Sequence, residues 1–107
     1  MKAPTMLPER PFDLSTPLMK VVSVTAGSTG DVASTKTATI TKTGLNNQTG
    51  YTAKGIVGVQ TTSSALVVYR MTIDSSTTAT VSARNIASST QSATVTIHVL
   101  YVRSDLL

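Results

Sequence analysis

His98 is the only histidine in this chain of 107 residues and the side chain best suited to acid–base chemistry. An imidazole activates a serine hydroxyl when the two lie within hydrogen-bond distance. Serines occur throughout the chain, so counting leaves a Ser–His pairing open. However, no Gly-x-Ser-x-Gly nucleophile elbow is present. His98 also stands among threonines in a segment typical of a strand, so we interpret it as a wet-face or interface residue.

The carboxylates do not form a pattern suited to glycoside hydrolysis or calcium binding. They are Glu9, Asp13, Asp31, Asp74 and Asp105. A glycosidase needs two acids facing each other across a cleft, and a calcium loop needs several acids close together. Here two lie near the N-terminus, two in predicted turns and one near the C-terminus. We expect the two in turns to bond their own backbone.

The absence of cysteine excludes disulfides, thiolate nucleophiles and zinc–thiolate sites. The segment Gly27-Ser28-Thr29-Gly30 is interpreted as a turn, because no lysine and no predicted helix follows it as a phosphate-binding loop requires. We therefore predict no catalytic, cofactor-binding or metal-binding residues. The protein is expected not to be an enzyme.

The charge pattern argues against nucleic acid and membrane partners. The net charge is +4, but the nine Lys and Arg residues are scattered singly and no aromatic residues interleave with them. Grooves that bind nucleic acid cluster positive charge and often stack bases on aromatic rings. No run of 18 apolar residues occurs, so no membrane span is predicted. No apolar stretch follows Met1, so no secretory signal peptide is predicted.

The elements that must position these side chains are predicted to be strands. Ser and Thr account for 33 of the 107 residues, and from Leu18 onward they alternate with β-branched apolar residues. The spacing of turn residues is typical of a β-sandwich. Six strands are predicted, over residues 18–25, 36–43, 52–60, 65–73, 77–84 and 93–102. The fold class is thus all-β, an antiparallel sandwich of about six strands.

Two of these strands have features that indicate an irregular pairing or an additional contact. Gly55 and Gly58 lie inside the third strand, where glycine usually marks a bulge or a close backbone approach. The fourth strand, 65–73, is apolar on both faces, so it needs a second cover that a neighbouring subunit could supply. We therefore expect a closed cyclic homo-oligomer, with a trimer favoured.

The first 17 residues form a separate segment, which we call the arm. It contains all four prolines, which favour an extended course without a regular ladder. It also carries Met6, Leu7, Phe12 and Leu14, more apolar side chains than an idle tail would keep. We predict that these four residues dock on a partner. The domain division is then an arm over 1–17 and a sandwich over 18–107.

Arg84 and Asn85 end the fifth predicted strand. Their side chains could contact glycan hydroxyls or another subunit, but Asn also tolerates turn conformations. The turn is the favoured interpretation.

The closing run, residues 79–107 (ATVSARNIASSTQSATVTIHVLYVRSDLL), resembles the C-terminal hairpin of small β-sandwich structural proteins of tailed bacteriophages. These include capsid decoration (cement), fibre and collar proteins. The layout over 18–102 is also similar to that of H-type lectins, which are trimeric sugar-binding sandwiches. No lectin sugar-site residues can be matched here. The phage resemblance implies a symmetric assembly clamped on a capsid lattice or stacked in a tail.

The expected function is therefore that of a bacteriophage virion structural protein, assembled in the host cytoplasm. In the leading hypothesis it is a capsid decoration protein that bridges neighbouring subunits of the major capsid protein or binds another virion protein. The alternative is a tail fibre, collar or lectin-like module that binds host-surface glycan. A small esterase-like enzyme ranks third, because the sequence contains no nucleophile elbow.

Overall fold

Two three-stranded antiparallel sheets make up the fold in the computed structural model, which describes residues 16–107. Sheet I has the spatial order β1-β6-β3 and sheet II the order β2-β5-β4. The strands are β1 (Met19–Ser28), β2 (Thr37–Lys42), β3 (Tyr51–Thr61), β4 (Leu66–Ser75), β5 (Thr78–Asn85) and β6 (Thr94–Arg103). Each overlaps a predicted strand. The predicted all-β antiparallel sandwich is confirmed.

The central strands β6 and β5 carry the core between the sheets. The predicted alternation of β6 is confirmed, because Val95, Ile97, Val99 and Tyr101 are all buried while the residues between them are not. Opposite them, β5 buries Ala79, Val81 and Ala83. Alternation places every second side chain on the same face of a strand. The small residues of β5 let the larger residues of β6 fill the space between the sheets.

Leu45 belongs to this core although the sequence places it in a loop. It lies in a short 3-10 turn, Leu45–Asn47, and is buried. The Tyr101 hydroxyl donates a hydrogen bond to the Leu45 carbonyl at 2.8 Å. Burial raises the pKa of Tyr101 above its ordinary value. The turn therefore closes one end of the core with both an apolar and a polar contact.

The glycines of β3 mark bulges, as predicted. The pairing of β3 with β6 shifts between Ala53 and Gly55 and again between Ile56 and Gly58. Each shift adds a residue to β3 that has no partner on β6.

The apolar fourth strand, β4, is an edge strand of sheet II. Leu66 is buried in a small cluster with Val32 and Ala93, and Val68 packs on the main core. Val67 and Tyr69 are exposed, Tyr69 by 59%. Strand β4 thus has apolar side chains on both faces, as expected. That a neighbouring subunit covers its exposed face remains a prediction.

The expectation that Asp74 bonds its own backbone is wrong. Its carboxylate accepts hydrogen bonds from the hydroxyls of Thr72, at 2.9 Å, and of Thr80. Thr72 and Thr80 are cross-strand partners on β4 and β5, so Asp74 links side chains across the ladder. The Thr80 bond, followed by the Thr72 bond, lowers the pKa of Asp74. Whatever stability this carboxylate contributes is present above its unfolded pKa and is lost as the pH falls through the lowered value.

The predicted docking residues Met6, Leu7, Phe12 and Leu14 lie outside the described residues. Of the arm, the structure describes Thr16 and Pro17. No helix within 16–107 is long and apolar enough to cross a membrane.

Candidate docking surface

An exposed group of apolar side chains lies on the outer face of sheet I. Met19 and Val21 on β1 stand directly opposite Val102 and Leu100 on β6. Met19 is 59% exposed and Val21 is 55% exposed, while Leu100 and Val102 are half-buried. We call these four residues the apolar patch. A contiguous group of exposed apolar side chains can mark a site of interaction with another molecule.

The neighbouring strand leaves the patch open on its other side. Gly55 of β3 stands opposite Leu100 and offers no side chain, whereas Thr52 stands opposite Val102. An added Cβ at Gly55 would meet no atom within 4 Å. Val57, further along β3, is 58% exposed. Opposite Leu100, therefore, β3 contributes no side chain to border the patch.

His98 lies on the same face, as the alternation of β6 predicts. Its Nδ1 atom is 2.9 Å from the Ser23 hydroxyl oxygen on β1. On the other side its ring lies against Gly58 of β3, so that a Cβ added to that glycine would come within 3.0 Å of the His98 Cδ2 atom. The close approach predicted at Gly58 is thus made to the His98 ring. This ring contacts Ser23 of β1 on one side and Gly58 of β3 on the other.

The structure places a serine, Ser23, next to His98. The Ser–His pairing that the number of serines left open is therefore present. A serine hydrolase also orients its histidine through the second ring nitrogen, usually with a carboxylate. Among residues 16–107 the hydrogen bonds to His98 include no carboxylate partner. The contact is well explained as a cross-strand polar pair, because Ser23 and His98 are directly opposite each other in the β1–β6 register.

We expect His98→Gln to change the free energy of unfolding by only about 0.5 kcal/mol, because a glutamine amide can bond Ser23 on the same half-exposed face. Chemical denaturation of both proteins measures this change. Assembly should also be intact, as judged by light scattering. Ester hydrolysis by the wild-type protein that disappears in His98→Gln would contradict our interpretation and identify a catalytic histidine.

The chain enters sheet I next to the apolar patch. The Tyr51 hydroxyl donates a hydrogen bond to the Pro17 carbonyl at 2.7 Å. The Lys20 ammonium lies 4.3 Å from the centroid of the Tyr51 ring, which is within the range of a cation–π contact. Pro17 is two residues before Met19. The end of the arm is therefore bound next to the patch by the Tyr51 hydroxyl, and the Tyr51 ring is in turn contacted by Lys20.

Arg103 provides a second attachment at this end of sheet I. It continues the inward alternation of β6, and its side chain is 7% exposed. Its Nε and Nη2 atoms donate to the two oxygens of Asp105 at 3.1 and 2.6 Å. Its Nη1 atom also lies 3.5 Å from the Thr16 carbonyl oxygen. Arg103 directly follows the predicted sixth strand, and the strand period carries its side chain into the sandwich.

A cavity of about 400 Å³ opens between these groups. Its lining comprises Thr16, Thr49, Gly50, Tyr51, Arg103, Ser104 and Asp105. Since Arg103 and Asp105 already pair with each other, the cavity presents few unpaired polar groups to a ligand. We interpret it as the seat of the arm's attachment.

The outer face of sheet II differs in character from that of sheet I. Its strands β2 and β5 carry mainly hydroxyl side chains, those of Thr37, Thr39, Thr41, Thr80 and the buried Ser82, while its edge strand β4 exposes Val67, Tyr69 and Met71. Thr39 and Ser82 are cross-strand partners whose hydroxyl oxygens are 3.1 Å apart. Arg84 is exposed on this face. Threonine hydroxyls are compatible with water, so the part of this face formed by β2 and β5 is suited to solvent.

Asn85 is fully buried and its side chain is used within the sandwich. Its Nδ2 atom donates to the carbonyls of Val32 and Ser89 at 2.8 and 2.9 Å, and its Oδ1 atom accepts from the Ala87 N–H at 2.8 Å. The bond to Ala87 is the local Asx-type contact of a turn, as the favoured interpretation expected. Asn85 is thus unavailable to a glycan, and it joins two loops to the end of β5.

The described residues contain no group of three His, Asp or Glu side chains that could hold a metal ion. The structural features that the sequence reasoning missed are the Ser23–His98 pair, the inward Arg103 and the apolar patch. The patch had a signal, since Val21, Leu100 and Val102 break the expected apolar–polar alternation of their strands.

No protein-family model, curated protein or solved structure matches this chain.

Proposed function

We propose that this protein is a bacteriophage virion structural protein of the capsid decoration type, which stabilises the head shell by bridging neighbouring capsid subunits. One observation carries the proposal: the arm joins the sandwich directly beside an exposed apolar patch, through Tyr51 and Pro17. A cement protein needs two such contact elements, one for each neighbour that it connects. The resemblance of residues 79–107 to phage sandwich proteins supports the same class.

The difference between the two outer faces supports a protein with one side toward a partner. Sheet I presents Met19 and Val21 beside the central strand β6, whereas the hydroxyls of sheet II lie on β2 and β5 and its exposed apolar side chains, Val67 and Tyr69, lie on the edge strand β4. A decoration protein occupies a boundary of this kind, with the shell on one side and solvent on the other. Many copies that each bury a modest area add their contacts through the lattice, so a weak individual interface is sufficient.

The arm's composition fits docking that is completed only on a partner. Ordering a residue costs about 1–2 kcal/mol of backbone entropy, somewhat less where proline already restricts the chain. Burying an apolar side chain such as Met6, Leu7, Phe12 or Leu14 returns about 1.5–3 kcal/mol. Summed over the arm, the entropy cost exceeds what these four side chains return, so contacts from a partner would be needed to order it.

We expect removal of residues 1–15 to leave the sandwich folded and to weaken binding to virions. The cut is placed before Thr16 because Thr16 and Pro17 contact Arg103 and Tyr51. Thermal melting measures the fold, and occupancy on purified heads measures attachment. A truncated protein that no longer folds would place the arm in the core. Full occupancy on heads would contradict the docking role.

A matched pair of full-length variants separates apolar docking from chain length. The first replaces Met6, Leu7, Phe12 and Leu14 with serine, and the second replaces Lys2, Glu9 and Arg10 with serine. Both keep all four prolines. Lower head occupancy in the first variant alone supports the proposal, and equal occupancy in the two contradicts it.

A second candidate is a fibre, collar or lectin-like module that binds glycan. The observation that favours it is Tyr69, which is 59% exposed at a bulge of β4 and is followed by Arg70. Exposed aromatic rings can stack on sugars, and arginine can donate to hydroxyls. Glycan-array binding that Tyr69→Ser abolishes, without any binding to heads, would favour this candidate over the first.

A further inference from the structure

The free edges of β1 and β2 are regular, unlike those of β3 and β4. The edges of the two sheets are β1 and β3 in sheet I, and β2 and β4 in sheet II. The register of β3 shifts at Lys54 and at Val57, and that of β4 shifts at Tyr69 and at Asp74. Bulges and charges are the usual means by which an edge strand avoids pairing with another chain. The one shift of β1, at Ala26, leaves residues 19–25 as a regular strand.

The backbone of this segment has hydrogen-bonding groups to offer. The Arg103 N–H donates to the Leu18 carbonyl at 3.0 Å, at the start of the β1–β6 ladder. Hydrogen-bonded and non-hydrogen-bonded pairs alternate along an antiparallel ladder. The N–H and C=O groups of Met19, Val21, Ser23 and Thr25 therefore point away from β6. Within the described part of the chain, these groups have no hydrogen-bond partner.

We propose that β1 pairs antiparallel with β1 of a second copy across a two-fold axis, so that the two copies of sheet I form one continuous sheet of six strands. In the register that uses every free group, Met19 stands opposite Thr25 of the second copy and Val21 stands opposite Ser23. Each such pair exchanges two hydrogen bonds, so the interface contains about eight. This pairing does not depend on the proposed virion function.

A second copy fits this edge because nothing in β1 repels it. The charged residue of the segment is Lys20, whose ammonium lies over the Tyr51 ring of its own chain. No proline interrupts residues 19–25. On the shared outer face, the two-fold axis places Val21 of each copy diagonally across from Val21 of the other, while Met19 faces Thr25.

The other occupants considered fit less well. The arm carries Pro4, Pro8, Pro11 and Pro17, and proline cannot donate to a ladder. The β2 edge is regular, but it is shorter than β1 and is flanked by Lys36 and Lys42. Its outward side chains are Thr37, Thr39 and Thr41, which gain little from being covered.

Light scattering of the isolated full-length protein at micromolar concentration tests the pairing. A two-fold contact requires an even number of 11.2 kDa chains, that is, a dimer, or a hexamer if a three-fold contact also forms. A monomeric or trimeric mass overturns the proposal. Because no virion is involved, this result stands apart from the head-binding experiments.

Two matched substitutions test the position of the contact. Val21 and Val57 are both exposed valines on opposite edge strands of sheet I, by 55% and 58%. Val21→Lys should raise the dissociation constant about tenfold or more, because it places charge in the new interface, whereas Val57→Lys should leave the mass unchanged. An equal effect of both substitutions overturns the proposal.

Backbone pairing and register have their own tests. Val21→Pro removes an N–H that points to the free edge, so it should also halve the mass while the circular dichroism spectrum of the folded chain is retained. The chain has no cysteine, so a mixture of Val21→Cys and Ser23→Cys proteins reports on register. Oxidation should link the two variants to each other more readily than either to itself. An even mass retained by Val21→Pro, or no preference for the mixed disulfide, overturns the proposed ladder.

Discussion

Replacing Asn85 with leucine is expected to lower the free energy of unfolding by about 2–4 kcal/mol, since each side-chain hydrogen bond lost costs about 0.5–1.5 kcal/mol. The substitution removes three side-chain hydrogen bonds, to Val32, Ser89 and Ala87. Asn85 is 0% exposed, so water cannot replace these contacts without opening the structure. Urea denaturation followed by circular dichroism measures the loss.

The control for this experiment is an asparagine in a different setting. Asn46 is exposed in the 3-10 turn, and Asn46→Ala should change stability by no more than about 0.5 kcal/mol. Asn85→Asp keeps the acceptor for the Ala87 N–H but loses both donors and buries a charge, so it should cost about as much as leucine. An Asn85→Leu protein within about 1 kcal/mol of wild type would show that the loops do not depend on this side chain.

Removing the ring of Tyr101 is expected to have a comparably large effect. Tyr101 is fully buried in the main core, and truncation of a large buried side chain to alanine typically costs about 3–5 kcal/mol. Tyr101→Phe keeps the ring but leaves the Leu45 carbonyl without its 2.8 Å hydrogen bond, which should cost about 1–2 kcal/mol. Denaturation of the two variants separates the apolar contribution from the polar one.

Tyr69 provides the comparison for Tyr101. It is the same residue type with its ring 59% exposed, so Tyr69→Ala should cost about 0.5 kcal/mol or less. If Tyr101→Phe were as stable as wild type, the hydroxyl bond to Leu45 would contribute nothing to closing the core. If Tyr69→Ala were as damaging as Tyr101→Ala, the exposed face of β4 would have a structural role that the isolated sandwich does not explain.

The parts of the fold that depend on local pattern could be read from the sequence. Val95, Ile97 and Val99 alternate with threonine and histidine with period two. In a strand this period places the apolar residues on the face toward the core and the polar residues on the face toward water. Gly55 and Gly58 indicated bulges in β3, and both are present. The six strands were predicted for this reason, because each depends mainly on its own residues and neighbouring turns.

The functional surface depends on which strands become neighbours, and a single sequence does not contain that information in a local form. Ser23 and His98 are 75 residues apart and meet because β1 pairs with β6 rather than with β2. The same pairing places Met19 and Val21 beside Leu100 and Val102, which creates the apolar patch.

Burial of polar groups was likewise decided by the tertiary structure. Arg103 and Asn85 have side chains typical of a surface, and the position of Asn85 at a strand end predicted a turn. In the sandwich, Arg103 follows the inward period of β6 and finds Asp105, while Asn85 finds three backbone partners supplied by two loops. Local pattern thus determined the strands and their buried faces. The long-range partners that make buried polar groups tolerable exist only once the two sheets are assembled.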